Sequence, residues 1–127
     1  MLSTIDGGPH AIPVAAPVRA GNQCILVSLE RTRGSLARLR ANPGVALAIL
    51  TGGDCAFTAL GRARVVQESM PDAANYVAVE IGVEEIDDPR SPGVVVESGV
   101  RVQLADDAEL SLRKRIDALR ELTRRKA

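Results

Sequence analysis

A basic stretch at residues 30–44, ERTRGSLARLRANPG, holds the side chains best suited to binding a charged ligand. Arginines beside the first turn of a helix can bind a phosphate, because the guanidinium fork and the free backbone N–H groups both donate hydrogen bonds to its oxygens. The same composition also suits a nucleic-acid contact, or the solvated face of a short surface helix. The side chains concerned are Arg31, Thr32, Arg33, Ser35, Arg38 and Arg40.

The other polar side chains form no recognisable catalytic or metal-binding set. His10 is the only histidine, and no serine and acidic residue join it in a convincing triad. The acidic run at 84–88 lacks the spaced loop of a calcium site, so we predict no bound metal. The sequence therefore leaves the catalytic residues unknown.

The composition is that of an ordinary soluble globular protein. The chain has 127 residues, of which 46% are hydrophobic and 25% are charged, and this predicts one domain over residues 1–127. The formal net charge is zero, and there are one Phe, one Tyr and no Trp. Nucleic-acid-binding domains usually carry net positive charge, and single-strand binders add aromatic side chains that stack on bases. We therefore expect no nucleic-acid partner and an aliphatic core.

Cysteine usage and targeting signals bear on the compartment. Cys24 and Cys55 are too few for a disulfide framework and lack metal-ligand spacing, which indicates buried thiols in a reducing compartment. The first residues do not resemble a signal peptide, and no apolar run approaches the length of a membrane span. We expect a cytoplasmic protein with no membrane partner.

Three clusters of turn-forming residues predict β-hairpins. They are Asp6-Gly7-Gly8, Gly21-Asn22 and Thr51-Gly52-Gly53-Asp54, and each stands between two apolar runs. Gly, Asn and Asp accept the positive φ of tight hairpin turns. A strand is therefore expected on each side of every cluster, and HAIPVAAPV is read as a single strand.

Alternating apolar residues predict three later strands and leave two helices. The β-rich runs are 55–68, 76–86 and 93–104. A short helix is predicted at 32–41, with Thr32 as its N-cap and Asn42-Pro43-Gly44 as its stop. A longer helix is predicted at 107–125, capped by Asp106 or Asp107. Its apolar stripe consists of Ala108, Leu112, Ile116, Leu119 and Leu122.

The resulting order, β-β-β-α-β-β-β-β-α, predicts a mainly β fold, an antiparallel β-barrel with α-helices, rather than a sandwich or a doubly wound sheet. Three segments make this more specific: LSTIDGGPHAIPVAAPV, CILVSLERTRGSLARLRANPGVALAIL and ALGRARVVQE. They resemble the first hairpin, the third strand to fourth strand, and the Gly-Arg-Ala strand of flavin-binding split-barrel proteins of the pyridoxamine 5′-phosphate oxidase type. The resemblance covers residues 2–68 well and 76–105 loosely. It implies a split antiparallel β-barrel of about six to seven strands, with a short helix after the third strand and a C-terminal helix.

The resemblance also implies a cofactor and its site. Members are usually homodimers that hold FMN, or in one branch the deazaflavin coenzyme, in a cleft between two barrels. Carried over by position, Thr32, Arg33, Ser35 and Arg38 would face the phosphate, and Val14, Ala15, Val27 and Ser28 would line the ring. Ser35 falls where many relatives have a lysine, and Arg33 is the candidate replacement for that charge.

The sequence thus predicts an FMN-dependent oxidoreductase that transfers a hydride or electrons to a small, unidentified substrate. In such proteins the cofactor carries out the reaction, and the protein supplies position and electrostatics. A deazaflavin-dependent reductase on the same fold is the first alternative. The second is a non-catalytic dimeric protein that binds a flavin or haem, or no ligand.

Overall fold

The computed structural model describes residues 1–126, which form seven strands and two helices. Four strands precede the first helix, three lie between the helices, and the long second helix comes last. In chain order the elements are β1 (Leu2–Thr4), β2 (His10–Ile12), β3 (Val18–Arg19), β4 (Cys24–Glu30), α1 (Gly34–Ala41), β5 (Gly44–Thr51), β6 (Cys55–Gln67), β7 (Tyr76–Asp87) and α2 (Asp106–Lys126).

The strands form one antiparallel sheet in the order β2-β1-β5-β6-β7-β4-β3. Its two edge strands, β2 and β3, follow each other in the chain and are joined only by residues 13–17. A link of this length spans at most about 20 Å. The sheet must therefore curl until its edges lie near each other, which makes a barrel that is open between β2 and β3. We call this opening the seam.

The three predicted hairpins are confirmed. Thr4 pairs with His10 across the Asp6-Gly7-Gly8 turn, and Thr51 pairs with Cys55 across the third turn. Arg19 pairs with Ile25 across the turn that contains Gly21 and Asn22. Gly7, Gly8, Gly21 and Gly53 have φ between +69° and +106°, the left-handed region that the turn residues were expected to occupy.

Two groups of buried side chains lie on opposite faces of the sheet. Inside the barrel, Val27, Leu47 and Val79 pack with Leu36 and Leu39 of α1. On the outer face, Ala118 and Leu119 of α2 pack on β4 and β7, against Leu26, Met70 and Ala78. The predicted helix stripe is therefore confirmed in its second half, whereas Ala108 is exposed. No helix in residues 1–126 is long and apolar enough to cross a bilayer.

The predicted strand at 93–104 is wrong. This segment has no regular structure, and most of its valines are exposed. It crosses the tip of the β5–β6 hairpin, where the Asp54 N–H donates to the Val96 carbonyl at 3.1 Å and the Val96 N–H donates to Asp54 Oδ1 at 3.0 Å. Both edges of the sheet are at the seam, so a valine-rich run at this hairpin has no strand to pair with.

Two further predictions are corrected by backbone geometry. HAIPVAAPV divides into β2 and the approach to β3, because Pro13 and Pro17 have no N–H to donate to a neighbouring strand. The short helix consequently follows the fourth strand instead of the third. Thr32 is not the N-cap of α1: Arg33 occupies that position without a side-chain cap, and the Thr32 hydroxyl donates to Glu30 Oε1 at 3.2 Å.

Candidate functional site

A cleft opens at the seam of the barrel, with a volume of about 150 Å³. Four elements meet there: the 13–17 link, the end of β4 with the residues that precede α1, the start of β7, and the middle of α2. We call it the seam cleft. Its lining residues are Ile12, Pro13, Val14, Ala15, Ser28, Leu29, Glu30, Arg33, Tyr76 and Arg115.

The backbone of the 13–17 link gives this cleft unused hydrogen-bonding groups. Within the described residues, 14–16 make no backbone hydrogen bond. Ala16 also has a φ of +47°, which is uncommon for a residue other than glycine. Residues 14–16 are partly or fully exposed, so these main-chain groups are accessible to a ligand with donors and acceptors along its edge.

The structure brings half of the predicted site residues into the cleft. Three residues predicted to line the ring, Val14, Ala15 and Ser28, line the cleft. Arg33, predicted to face the phosphate, lines it as well. Val27 does not, because it is fully buried inside the barrel. Thr32, Ser35 and Arg38 are also absent from its lining.

The predicted phosphate residues have different surroundings from one another. The side chain of Ser35 is fully buried, and its Oγ has no hydrogen-bond partner among residues 1–126. Arg33 is exposed, and its Nε lies 3.6 Å from Glu30 Oε2. Thr32 contacts the other oxygen of the same carboxylate. The Glu30 carboxylate therefore binds both Thr32 and Arg33, the two side chains that a phosphate at the start of α1 would need.

Arg38 stabilises the fold and does not line the cleft. Its guanidinium donates to the backbone carbonyls of Asp6 and Gly8, which ties α1 to the β1–β2 turn. Arg31 likewise donates to the carbonyls of Glu68 and Ala74.

Arg40 is also engaged elsewhere. Its Nη2 lies 2.7 Å from Glu68 Oε2, and this hydrogen bond lowers the pKa of the Glu68 carboxyl. Of the four arginines in the basic stretch, only Arg33 lines the seam cleft.

We predict that Arg38→Ala lowers the free energy of unfolding by about 1–2 kcal/mol, because a charged donor to two turn carbonyls is lost. Urea unfolding followed by circular dichroism measures this. Arg40→Ala is the matched control, since it breaks only an exposed ion pair and should change stability little. Equal losses in the two variants would contradict the role given to Arg38.

Two residues of the cleft were not predicted from the sequence, Tyr76 and Arg115. The Arg115 guanidinium lies over the Tyr76 ring, 4.1 Å from its centroid. Its Nη1 donates to Ser28 Oγ at 3.4 Å. One sequence signal existed: Arg115 precedes Ala118 and Leu119 by three and four positions, which places it on the face of the helix that packs on the sheet.

No family model matches the sequence, and no curated protein matches it. Solved structures do share its fold. A "putative pyridoxamine 5′-phosphate oxidase" of Lactobacillus delbrueckii aligns with a TM-score of 0.59 at 19% identity, over 68% of this chain and 81% of that one. HupZ of Group A Streptococcus aligns with a TM-score of 0.61 at 14% identity, over 78% and 88%. General Stress Protein 26 of Bacillus anthracis aligns with a TM-score of 0.55 at 19% identity, over 67% and 78%.

These similarities confirm the predicted fold. The mainly β architecture, with its single antiparallel sheet and C-terminal helix, is that of the split-barrel proteins similar to pyridoxamine 5′-phosphate oxidase.

Proposed function

We propose that this chain is an FMN-dependent oxidoreductase acting on a small substrate, and that it works as a homodimer with the cofactor between two barrels. The observation that carries the proposal is the seam cleft. It combines three of the predicted ring contacts, Val14, Ala15 and Ser28, with Arg33 from the predicted phosphate end.

The ring end of the cleft fits a flavin well. The unpaired backbone groups of residues 14–16 match the polar edge of an isoalloxazine ring, and the Ser28 hydroxyl adds a further donor or acceptor. Val14 packs against the barrel core and supplies an apolar floor. When bound, FMN would supply hydride or electron transfer, and the chain would hold the ring and shield it from water.

The phosphate end fits if Arg33 changes partner. α1 has no side-chain cap, so the N–H groups of Gly34 and Ser35 are available to an anion together with the positive end of the helix dipole, whereas the Leu36 N–H donates to the Arg33 carbonyl. Arg33 is exposed, and its contact with Glu30 is a surface ion pair of low strength. A phosphate can therefore replace the Glu30 carboxylate as its partner, with Thr32 as a second donor.

The size of the cleft favours a dimer. Its volume of about 150 Å³ is below the 300–1,000 Å³ usual for small-molecule sites, so a second subunit would have to complete the enclosure. The chain also carries exposed apolar residues on the segment before α2, including Val100 at 95% and Val102 at 73% exposure. Exposed apolar groups of this kind often mark protein interfaces.

The proposal takes residues 1–127 as one flavin-binding domain in the cytoplasm. The sheet extends from Leu2 to Asp87, and α2 packs on its outer face, which supports one structural unit. Cys24 and Cys55 form no disulfide with each other and are only partly buried, so the prediction of buried thiols is wrong.

The test is a titration of the purified chain with FMN, monitored through the visible spectrum of the flavin and, separately, by calorimetry. We expect saturable binding, and we expect Arg33→Ala to weaken it at least tenfold, because a charge-assisted hydrogen bond to phosphate is lost. Arg40→Ala, which lies outside the cleft, should bind FMN as the wild type does.

A parallel titration with the deazaflavin coenzyme separates the first alternative. Preferential binding of the deazaflavin would replace FMN in the proposal. FMN that binds but is not reduced by NADH or NADPH would favour the non-catalytic binding protein. If neither cofactor binds at high protein concentration, the proposed function is wrong, and a monomer in sizing chromatography would contradict the intersubunit site.

A further inference from the structure

Arg115 enters the seam cleft without an acidic partner. It comes from the middle of α2, is partly buried, and lies over the ring of Tyr76. No carboxylate within residues 1–126 forms an ion pair with it. Its Nε is buried and has no hydrogen-bond partner among those residues. Burial of a polar nitrogen without a hydrogen bond is unfavourable, while the Arg115 side chain as a whole is only partly buried.

The charge balance of the cleft leaves Arg115 as the excess. The charged lining residues are Glu30, Arg33 and Arg115. Glu30 is already engaged by Arg33 at 3.6 Å and by the Thr32 hydroxyl. In the protein without cofactor, one positive charge, that of Arg115, therefore stays uncompensated on the wall of the cleft.

The donors left on the guanidinium indicate what would compensate it. Nη1 donates to Ser28 Oγ and Nε is buried, so Nη2 is the nitrogen left to bind a ligand. A guanidinium N–H donates a charge-assisted hydrogen bond to an oxygen of a carboxylate or phosphate. Stacking on Tyr76 holds the guanidinium in place, which lowers the entropy cost of binding.

We propose that Arg115 binds a carboxylate or phosphate group of the small substrate and so selects anionic substrates at the seam cleft. The assignment of this group to a substrate rests on the function proposed above, whereas the oxyanion site itself does not. Arg115 contacts Ser28, a residue of the proposed ring end, whereas Thr32 and Arg33 precede α1 at the proposed phosphate end of the cofactor. The oxyanion at Arg115 is therefore assigned to the substrate, beside the ring, and not to the cofactor.

The chain has a built-in reporter for this site. Tyr76 is its only tyrosine and it has no tryptophan, so the intrinsic fluorescence comes from the ring that Arg115 covers. We expect inorganic phosphate and acetate, added at constant ionic strength with chloride as balance, to change this fluorescence along a saturable curve. Calorimetry on the same solutions gives an independent affinity.

Two matched variants test the assignment. Arg115→Gln should weaken anion binding at least tenfold in calorimetry, and Arg115→Lys should recover only part of it, because an ammonium lacks the planar fork. Arg113→Gln removes an equal charge from the exposed side of the same helix, where Arg113 pairs with Glu109, and should leave binding unchanged. Wild-type affinity in Arg115→Gln, an equal loss in Arg113→Gln, or a linear, collisional fluorescence change would each overturn the proposal.

The cofactor titration keeps the two proposals distinguishable. If FMN fails to bind while anions still bind through Arg115, the oxidoreductase function is wrong and the oxyanion site stands. If FMN binds normally and anion affinity does not depend on Arg115, the oxyanion site is wrong. Loss of anion binding at Arg115 on loading with FMN would assign the site to the cofactor's own phosphate and overturn its assignment to the substrate.

Discussion

Replacing Leu119 with alanine should lower the free energy of unfolding by about 2–5 kcal/mol, the range for a large-to-small change in a well-packed core. Leu119 is 1% exposed and is the largest side chain by which α2 packs on the outer face of β4 and β7. Removing it leaves a cavity against Leu26 and Ala78 that the rigid sheet cannot fill. Urea unfolding followed by circular dichroism gives the loss directly.

The same variant should reach the seam cleft through the helix. Arg115 lies one turn before Leu119, so a loosened α2 should shift the guanidinium from the Tyr76 ring and change the fluorescence of the folded protein. Leu110→Ala is the control, because Leu110 is on the same helix but 55% exposed, and its change in stability should stay within about 0.5 kcal/mol. A similar loss in both variants would show that α2 is not anchored by Leu119.

Gly61→Ala should be the second severe substitution, with a loss of about 1–3 kcal/mol or more. A Cβ at this position would overlap the carbonyl oxygen of Gly82 on the neighbouring strand, and it would also lie 3.1 Å from the Cα of Val83. Those atoms belong to the backbone of β7, so they cannot move aside as the end of a flexible side chain can. The pairing of β6 with β7 is also irregular between Leu60 and Gly61, next to this contact.

Thermal unfolding of Gly61→Ala beside Gly34→Ala tests this explanation. Gly34 begins α1 and has no neighbouring atom within 4 Å of an added Cβ, so its replacement should be neutral or slightly stabilising through helix propensity. Should Gly61→Ala unfold at the wild-type temperature, the close approach of β6 and β7 would have to be more adaptable than the structure indicates.

Local sequence signals were sufficient for most of the fold. The three hairpin turns could be predicted because Gly and Asp accept left-handed backbone whatever surrounds them, and Asn42-Pro43 stops α1 by its own covalent geometry. The valine run at 93–104 was mispredicted because strand formation also requires a neighbouring edge, and no edge is available where this segment lies. That information is absent from the segment itself.

The site was predictable only in part, for a related reason. The sequence showed where arginines cluster, and Arg33 does line the cleft. It could not show that Arg38 would be used by turn carbonyls or Arg40 by Glu68, because those partners are distant in the chain. Arg115 was missed for the same reason, because it lies 87 residues from Ser28 in the chain.

The exposed valine segment also bears on aggregation of the protein at high concentration. Val94 to Val96, Val100 and Val102 have the β-propensity of sequences that pair with copies of themselves. Pro92 precedes the run, and Glu97 and Arg101 interrupt it. Such residues act as gatekeepers against fibril-like association. A subunit seated on this segment would cover these valines and so protect the chain from aggregation.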